Sequence, residues 1–279
     1  MVSRSALAFA RRGDCVYACV RNLSRASSLE QLAGQEKLDI RLKLLDVTRP
    51  DSFGDFVAGV VEESGRIDIL INNAGILHPG SWEDLSESKV RAVMETNFFG
   101  PMLLSRSVLP QMREQGSGYI IMISSLSGIA GLAGDVAYSA SKFALEGATE
   151  ALRHEVDRWG IRLALVQGGQ YATNIFKGIA PDESPLPADY PSESPYRALV
   201  EFKLQHVLDG LPTALHPKGV AELLLEIADS DGSQLRWPAD ELSTRVLGAI
   251  QGQSDADRDA FLRMAGGTDW WSAGRPQSD

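Results

Sequence analysis

Two cysteines, four histidines and 7% aromatic residues are a thin supply of reactive and metal-binding groups for a chain of 279 residues. Cys15 and Cys19 stand four apart in one apolar run, where an extended backbone holds them too far apart to bridge. No disulfide framework is expected, and a reduced, cytoplasmic setting follows. Positive charge is also short. Twenty-seven Lys and Arg face 37 Asp and Glu, a formal charge of −10, so no basic field exists to attract nucleic acid or anionic lipid. The longest apolar stretches, such as Ile120–Ile123 and Leu163–Val166, fall far short of the roughly 18–20 residues that span a bilayer. His78, His154, His206 and His216 are scattered without metal-ligand spacing. The first twelve residues carry Arg4, Arg11 and Arg12 and no acid, yet the apolar part, Ala6–Ala10, is too short for a secretory core and the arginine pair follows it. That segment reads as a helix feeding a strand, and no leader is expected.

What the chain does contain is alternation. Short apolar or β-branched runs recur at Cys15–Val20, Leu42–Leu45, Ile67–Ile71, Tyr119–Ile123, Arg162–Val166 and, more weakly, Leu235–Trp237. Between them Phe53, Phe56, Val57, Val60 and Val61 follow the spacing of one buried helical stripe, with Thr48 and Pro50 at its start. Ser86 opens another helix. Strands separated by helices require crossover connections, hence an α/β fold with a doubly wound parallel sheet and helices on both faces. One domain over 1–250 is expected. Five prolines between 181 and 195, among Asp, Glu and Ser, interrupt it as a long loop and suit a lid region spanning 175–210. Residues 251–279 form a polar tail carrying Phe261, Leu262, Trp270 and Trp271, aromatics and aliphatics available to pack on the domain or on a second subunit.

Tyr138 and Lys142 lie at i and i+4, one turn apart on a single helical face. An ammonium beside a phenol favours the phenolate and draws its pKa down from about 10. Thirteen residues before Tyr138, just past the strand Tyr119–Ile123, stands Ser125 in a Ser-Ser-Leu-Ser-Gly turn. Loops at the carboxyl ends of parallel strands are where such sheets bind ligands. Asn72, Asn73, Ala74 and Gly75 follow another strand, with small residues that let backbone approach a ligand. Asn97 precedes Pro101 by four. Proline has no N–H, so the Asn97 carbonyl loses its helical partner and is free to hold a buried water.

In the order and spacing of Asn72-Asn73-Ala74-Gly75, Asn97, Ser125, Tyr138 and Lys142 the chain resembles the short-chain dehydrogenase/reductase family over nearly its whole length. Val16–Asn22, Ser141–Gly147 and Leu235–Pro238 look most like its 17β-hydroxysteroid and retinol dehydrogenase branch. The resemblance implies a Rossmann-like fold and a homodimer or homotetramer built through helices around 86–115 and 137–159. It implies an oxidoreductase interconverting a secondary alcohol and a carbonyl. Tyr138 would be the general acid/base, Ser125 would steady the substrate oxygen, and Lys142 would lower the tyrosine pKa and hold the nicotinamide ribose. Asn97 would anchor a proton-relaying water. Asn73, Ala74 and Gly75 would line the cofactor, Asp46 and Val47 would contact its adenine, and Thr173 would touch the nicotinamide amide. Arg21, at the end of the first strand where a carboxylate would bind a ribose hydroxyl, suits a 2′-phosphate, so NADP is expected ahead of NAD. A small, apolar alcohol or carbonyl fits the Phe176, Ile179, Leu186, Tyr190 and Tyr196 of the lid.

The front of the chain departs from that family. Its opening strand and glycine-rich phosphate turn are not found, since Met1-Val2-Ser3 stands roughly where the last glycines belong. Either a strand and turn lie upstream, the reading favoured by the filled downstream positions, or the chain has given up ordinary dinucleotide binding. A non-catalytic subunit of the same fold, or a redox-neutral enzyme using Tyr138 and Lys142, is the alternative.

Overall fold

A computed structural model describes residues 2–169, 171, 175, 185–211, 216 and 218–275. Its strands are β1 (Val16–Val20), β2 (Ile40–Leu44), β3 (Ile69–Asn72), β4 (Gly118–Ile123), β5 (Ile161–Gln167) and β6 (Arg236–Pro238). All the pairings are parallel, each strand displaced by no more than two residues from its sequence expectation. The α/β architecture with helices on both faces is as expected, and no described helix is long and apolar enough to cross a membrane.

Alternation along the central strands builds two cores. Ile120 and Met122 of β4, with Leu163 and Leu165 of β5, face a cluster supplied by α3 (Phe53–Ser64), α5 (Gly100–Gln115) and α6 (Val136–Val156). Tyr119 and Ile121, with Ala164 and Val166, face the opposite way onto Phe9 of α1 (Val2–Arg12) and Val220, Leu224 and Ile227 of α8 (Lys218–Asp229). These strand side chains are all but fully buried. Each large one stabilises the fold by roughly 1.5–3 kcal/mol relative to exposure.

The sheet is split. β1 and β2 form one ladder, and β3-β4-β5-β6 form another. Among the described residues nothing pairs with the free edge of β1 or of β3, and both edges line one cleft. Four of the five β1 residues and three of the four in β3 are therefore only half-buried, although nearly all are apolar. A slot runs between those two edges. Helices bridge it. Cys19 of β1 and Leu70 of β3 pack on one cluster, built on Leu45, Phe53 and Leu104, while Val16 and Ile69 pack on another that contains Phe9.

Local details refine the helix starts. Ser86 caps α4 (Glu87–Met94), accepting from the Lys89 N–H at 3.3 Å. Thr48 does not cap α3. Its hydroxyl donates to Asp46 at 2.8 Å, and a short 3₁₀ turn over Pro50–Ser52 leads into the helix instead. Around Asn97 the chain widens into a π-turn, Glu95–Phe99, before α5 begins. A wide turn accommodates the donor that Pro101 lacks. Within the proline-rich region, 176–184 lies outside the described residues, while Arg197–Gly210 forms helix α7. In the tail, Asp255–Gly266 and Asp269–Ser272 form α10 and α11, following α9 (Glu241–Ile250). Trp270 packs edge-on against Phe202 of α7 at 5.7 Å, so these aromatics are spent on the chain itself.

Gly100 is where α5 crosses the loop after β2. A β-carbon there would stand 2.6 Å from the Val47 carbonyl oxygen and 2.9 Å from the Val47 β-carbon, and backbone cannot swing aside as a flexible side chain would. Gly100→Ala is expected to cost about 2–3 kcal/mol in urea unfolding by overpacking. Unchanged stability would show that the loop carrying Asp46 and Val47 is free to move.

Candidate functional site

Parallel pairing aligns the strand ends. Asn72 is level with Met122, and Ile123 with Val166, so the loops after β3, β4 and β5 open side by side at one end of the sheet. Asn73, Ala74 and Gly75 leave β3 there, and Ser124 and Ser125 leave β4. Helix α6 passes over the same opening with Tyr138 and Lys142 facing in. All seven residues line a cleft of about 1240 Å³.

Hydrogen bonds lock this end together. The Asn97 side chain is wholly buried behind the wall rather than on it. Its Oδ1 accepts from the Ile76 N–H at 2.8 Å, and its Nδ2 donates to the Ile76 carbonyl at 2.9 Å and to Ser141 Oγ at 3.1 Å. Ser141 in turn donates to the Tyr138 carbonyl at 2.7 Å. Asn97 therefore ties the loop after β3 to the turn of α6 that carries Tyr138. Lys142 Nζ donates to the Ile123 carbonyl at 2.7 Å, pinning α6 to the end of β4, and lies 5.8 Å from the centre of the Tyr138 ring. Burial pushes the Tyr138 phenol up to about 12, opposed by a hydrogen bond with Ser125. It pushes the Lys142 ammonium down to about 8, opposed by Glu146. Desolvation thus leads over the mutual Tyr–Lys effect expected from the helical spacing.

The adenosine-side candidates are more scattered. Arg21 and Val47 line the cleft near the end of β1. Asp46 does not. Its carboxylate accepts from the Thr48 N–H and hydroxyl, at 3.0 and 2.8 Å, and these bonds, with Arg21 and Arg49 nearby, lower its pKa. Thr173 lies outside the described residues. Next to it, Tyr171 donates to Asp240 at 2.9 Å and to the Ala239 carbonyl at 2.8 Å, while the Gly169 N–H also donates to Asp240 at 2.9 Å. The β5 loop is thereby clamped to the cap of α9. Opposite, Phe261, Leu262 and Trp271 from the tail and Leu204 and Val207 from α7 add an apolar wall.

Whether these residues fit a dinucleotide divides the cleft. Small residues at 73–75 beside Tyr138 and Lys142 suit a nicotinamide ribose, and Arg21 suits the far end. Between them the first turn of α1, Val2 and Ser3, reaches the cleft. Both ends fit.

Sequence reasoning missed the residue behind the lysine. Glu146, one further turn along α6 and 4% exposed, accepts from Gln167 Nε2 at 3.0 Å and from Arg236 Nε at 3.0 Å. Arg236 on β6 also reaches Glu150. The signal was present as a third polar residue at the same i+4 spacing, yet its partners come from β5 and β6, far along the chain. Glu146→Gln is expected to lower the Lys142 midpoint from about 8 by roughly one unit, because a nearby anion favours the ammonium. Titration of the lysine ε-carbon by NMR checks this. An unmoved midpoint would show that Lys142 does not sense Glu146.

The arrangement also matches known proteins. The family model for short chain dehydrogenase matches residues 3–184. An uncharacterized oxidoreductase of Bacillus subtilis, YusZ, is 34% identical over 230 residues, covering 81% of each chain. Bovine retinol dehydrogenase 8 is 34% identical over 161 residues, 57% of this chain and about half (51%) of that protein. A solved short-chain dehydrogenase from Streptomyces avermitilis superposes with a TM-score of 0.75 at 30% identity, covering 95% of this chain and 94% of its own. With the Asn-Asn-Ala-Gly, Ser, Tyr and Lys positions brought to one cleft by a parallel sheet, this chain belongs to the short-chain dehydrogenase family of oxidoreductases and resembles its retinol dehydrogenase-like branch.

Proposed function

We propose that the chain interconverts a secondary alcohol and a carbonyl on a small, apolar substrate, with NADP(H) preferred over NAD(H). The observation that carries this reading is the placement of Tyr138, Lys142 and Ser125 around one opening with Asn73–Gly75. A bound nicotinamide supplies or accepts hydride. The chain's own groups handle the proton and the position. Tyr138 gives its hydroxyl proton to the substrate oxygen or takes it back, and Ser125 shares a hydrogen bond with that phenol. A protonated Lys142 would favour the phenolate and would hold the nicotinamide ribose. Asn97 fixes α6 through Ser141 and leaves its main-chain carbonyl, four residues before Pro101, to hold a water. Asn73, Ala74 and Gly75 would admit the cofactor, and Val47 would meet its adenine. The wall of Leu204, Val207, Phe261, Leu262 and Trp271 suits an apolar substrate.

Arg21 supports the choice of NADP, being exposed at the end of β1 and lining the cleft, where a guanidinium suits a 2′-phosphate. A homodimer or homotetramer through α4–α6 is supported by Phe99 in the π-turn before α5 and by Val136 and Phe143 on α6, 42%, 40% and 43% exposed. The unpaired thiols of Cys15 and Cys19 support a reducing cytoplasm. The split sheet favours a second reading, a non-catalytic or redox-neutral member that no longer binds the dinucleotide.

Tyr138→Phe is expected to lower NADPH-dependent turnover of a simple ketone by about 10²–10⁴-fold while changing NADPH affinity little. Full turnover in that variant would sink the acid/base role. Arg21→Glu should weaken NADPH, followed by nicotinamide fluorescence, about tenfold more than NADH, since only the former loses a phosphate contact. Equal losses would remove Arg21 from that role. Because Lys142 loses its proton as pH rises through about 8, kcat/KM should fall above that pH. A profile flat to pH 10 would show that the charged lysine is not required. Absence of any NADPH binding would leave the second reading.

A further inference from the structure

Helix α6 begins at an aspartate that does not cap it. Asp135 stands at the N-cap, where a carboxylate ordinarily accepts from the amides of the next turn, yet its side chain makes no such bond. It meets Lys203 of α7 at 2.5 Å instead. We propose that Lys203 is a positioning residue for Tyr138: from the wall of the cleft it holds Ala133–Asp135, and with that segment the turn of α6 that carries the phenol. The proposal rests on the oxidoreductase reading and extends it to a residue of the facing helix.

Three observations carry it. First, the segment ahead of α6 has little with which to hold itself. Gly131, Leu132, Ala133 and Gly134 offer one large side chain, and Gly134 turns the chain in the left-handed region at φ 76°. Lys203 Nζ meets this turn from both sides, donating to the Ala133 carbonyl at 2.6 Å as well as pairing with Asp135. The lysine stem passes so close that a β-carbon at Gly134 would stand 3.2 Å from Lys203 Cδ.

Second, the carbonyls of the same segment tie it to the rest of the opening. The Gly80 N–H, in the loop after β3, donates to the Gly134 carbonyl at 3.0 Å, and the Ser139 N–H, next to Tyr138, donates to the Asp135 carbonyl at 2.8 Å. A shift of Ala133–Asp135 is therefore passed to the phenol and to the β3 loop together, and small misplacements of a reacting group slow its chemistry strongly. Helix α7 is itself fixed just before its start, where Tyr190 and Ser194 donate to Asp84.

Third, the pair lies where charge matters. Its side chains are 15% and 13% exposed, so solvent screens it less than the surface pairs. Asp135 and Lys203 line the cleft with Tyr138, Lys142 and His206. The Asp135 charge adds to burial in raising the Tyr138 pKa, and the Lys203 ammonium sits on that carboxylate. Without the ammonium, a bare carboxylate would face a phenol that must take on negative charge as it gives up its proton.

The test compares the full chain with Lys203→Met, which keeps most of the stem and removes the ammonium, with Lys203→Arg, and with Asp135→Asn, which breaks the pair from the other end. Hydrogen exchange at the Gly80 and Ser139 amides is expected to quicken about tenfold in Lys203→Met and Asp135→Asn and to stay near the parent in Lys203→Arg, with the Ile120–Met122 amides unmoved throughout. With NADPH and a simple ketone, kcat is expected to fall about tenfold in Lys203→Met while KM moves less than about threefold, and Lys203→Arg should spare most of that loss. Asp135→Asn should lose only about threefold, since no bare carboxylate is left beside the phenol. A lysine with a merely structural role predicts equal losses from either end of the pair. Parent-like exchange or undiminished kcat in Lys203→Met overturns the proposal, as does an equal or larger loss in Asp135→Asn, or a loss that Lys203→Arg does not spare. Should Lys203→Met fail to fold, Lys203→Gln takes its place in both arms. Quickened exchange with no turnover by any chain, the parent included, keeps the hold on α6 and withdraws the oxidoreductase reading. Turnover by the parent with parent-like exchange in the variants does the reverse.

Discussion

Backbone pairing between β3, β4 and β5 is the constraint from which the rest of the molecule follows. Parallel strands in register must finish at the same end, so loops separated by some fifty residues in sequence open next to one another. Asn73–Gly75, Ser125 and the β5 loop are neighbours for that reason alone. Neither propensity nor side-chain chemistry brings them together.

Helix α6 adds the second component. Its i+4 repeat sets Tyr138, Lys142, Glu146 and Glu150 along one stripe. Burial varies steeply down that stripe. Tyr138 is half-buried in the cleft, Lys142 and Glu146 are shut between helix and sheet, and Glu150 reaches solvent to meet Arg236. A buried ammonium is costly, and the Ile123 carbonyl on one side with Glu146 on the other offsets that cost. The lysine position is thereby determined from two strands as well as from its own helix.

The cleft is closed by contacts of a different kind. Asp84 accepts from Ser81, Tyr190 and Ser194, and Lys89 pairs with Asp189 at 2.5 Å, so the described part of the proline-rich segment is moored by polar bonds near the surface. Lys203 meets Asp135 at 2.5 Å just ahead of Tyr138. The Lys89–Asp189 pair is exposed and screened by salt, whereas the Asp84 and Lys203–Asp135 contacts are part-buried.

The amino-acid sequence by itself determined the alternation of strands and helices and the set of Asn97, Ser125, Tyr138 and Lys142. These are properties of period and spacing, which are local and survive in one dimension. It did not disclose that Asn97 stands behind the cleft wall, that Thr48 serves Asp46 rather than a helix, or that Glu146 joins Arg236 across 90 residues. Nor did it show that the tail would pack on α7 and the cleft. Only the tertiary structure decided those, because burial and long-range pairing arise when β5, β6 and the closing helices meet. A carboxylate's partner, and so its charge and its influence on a neighbour, is set by what folds against it.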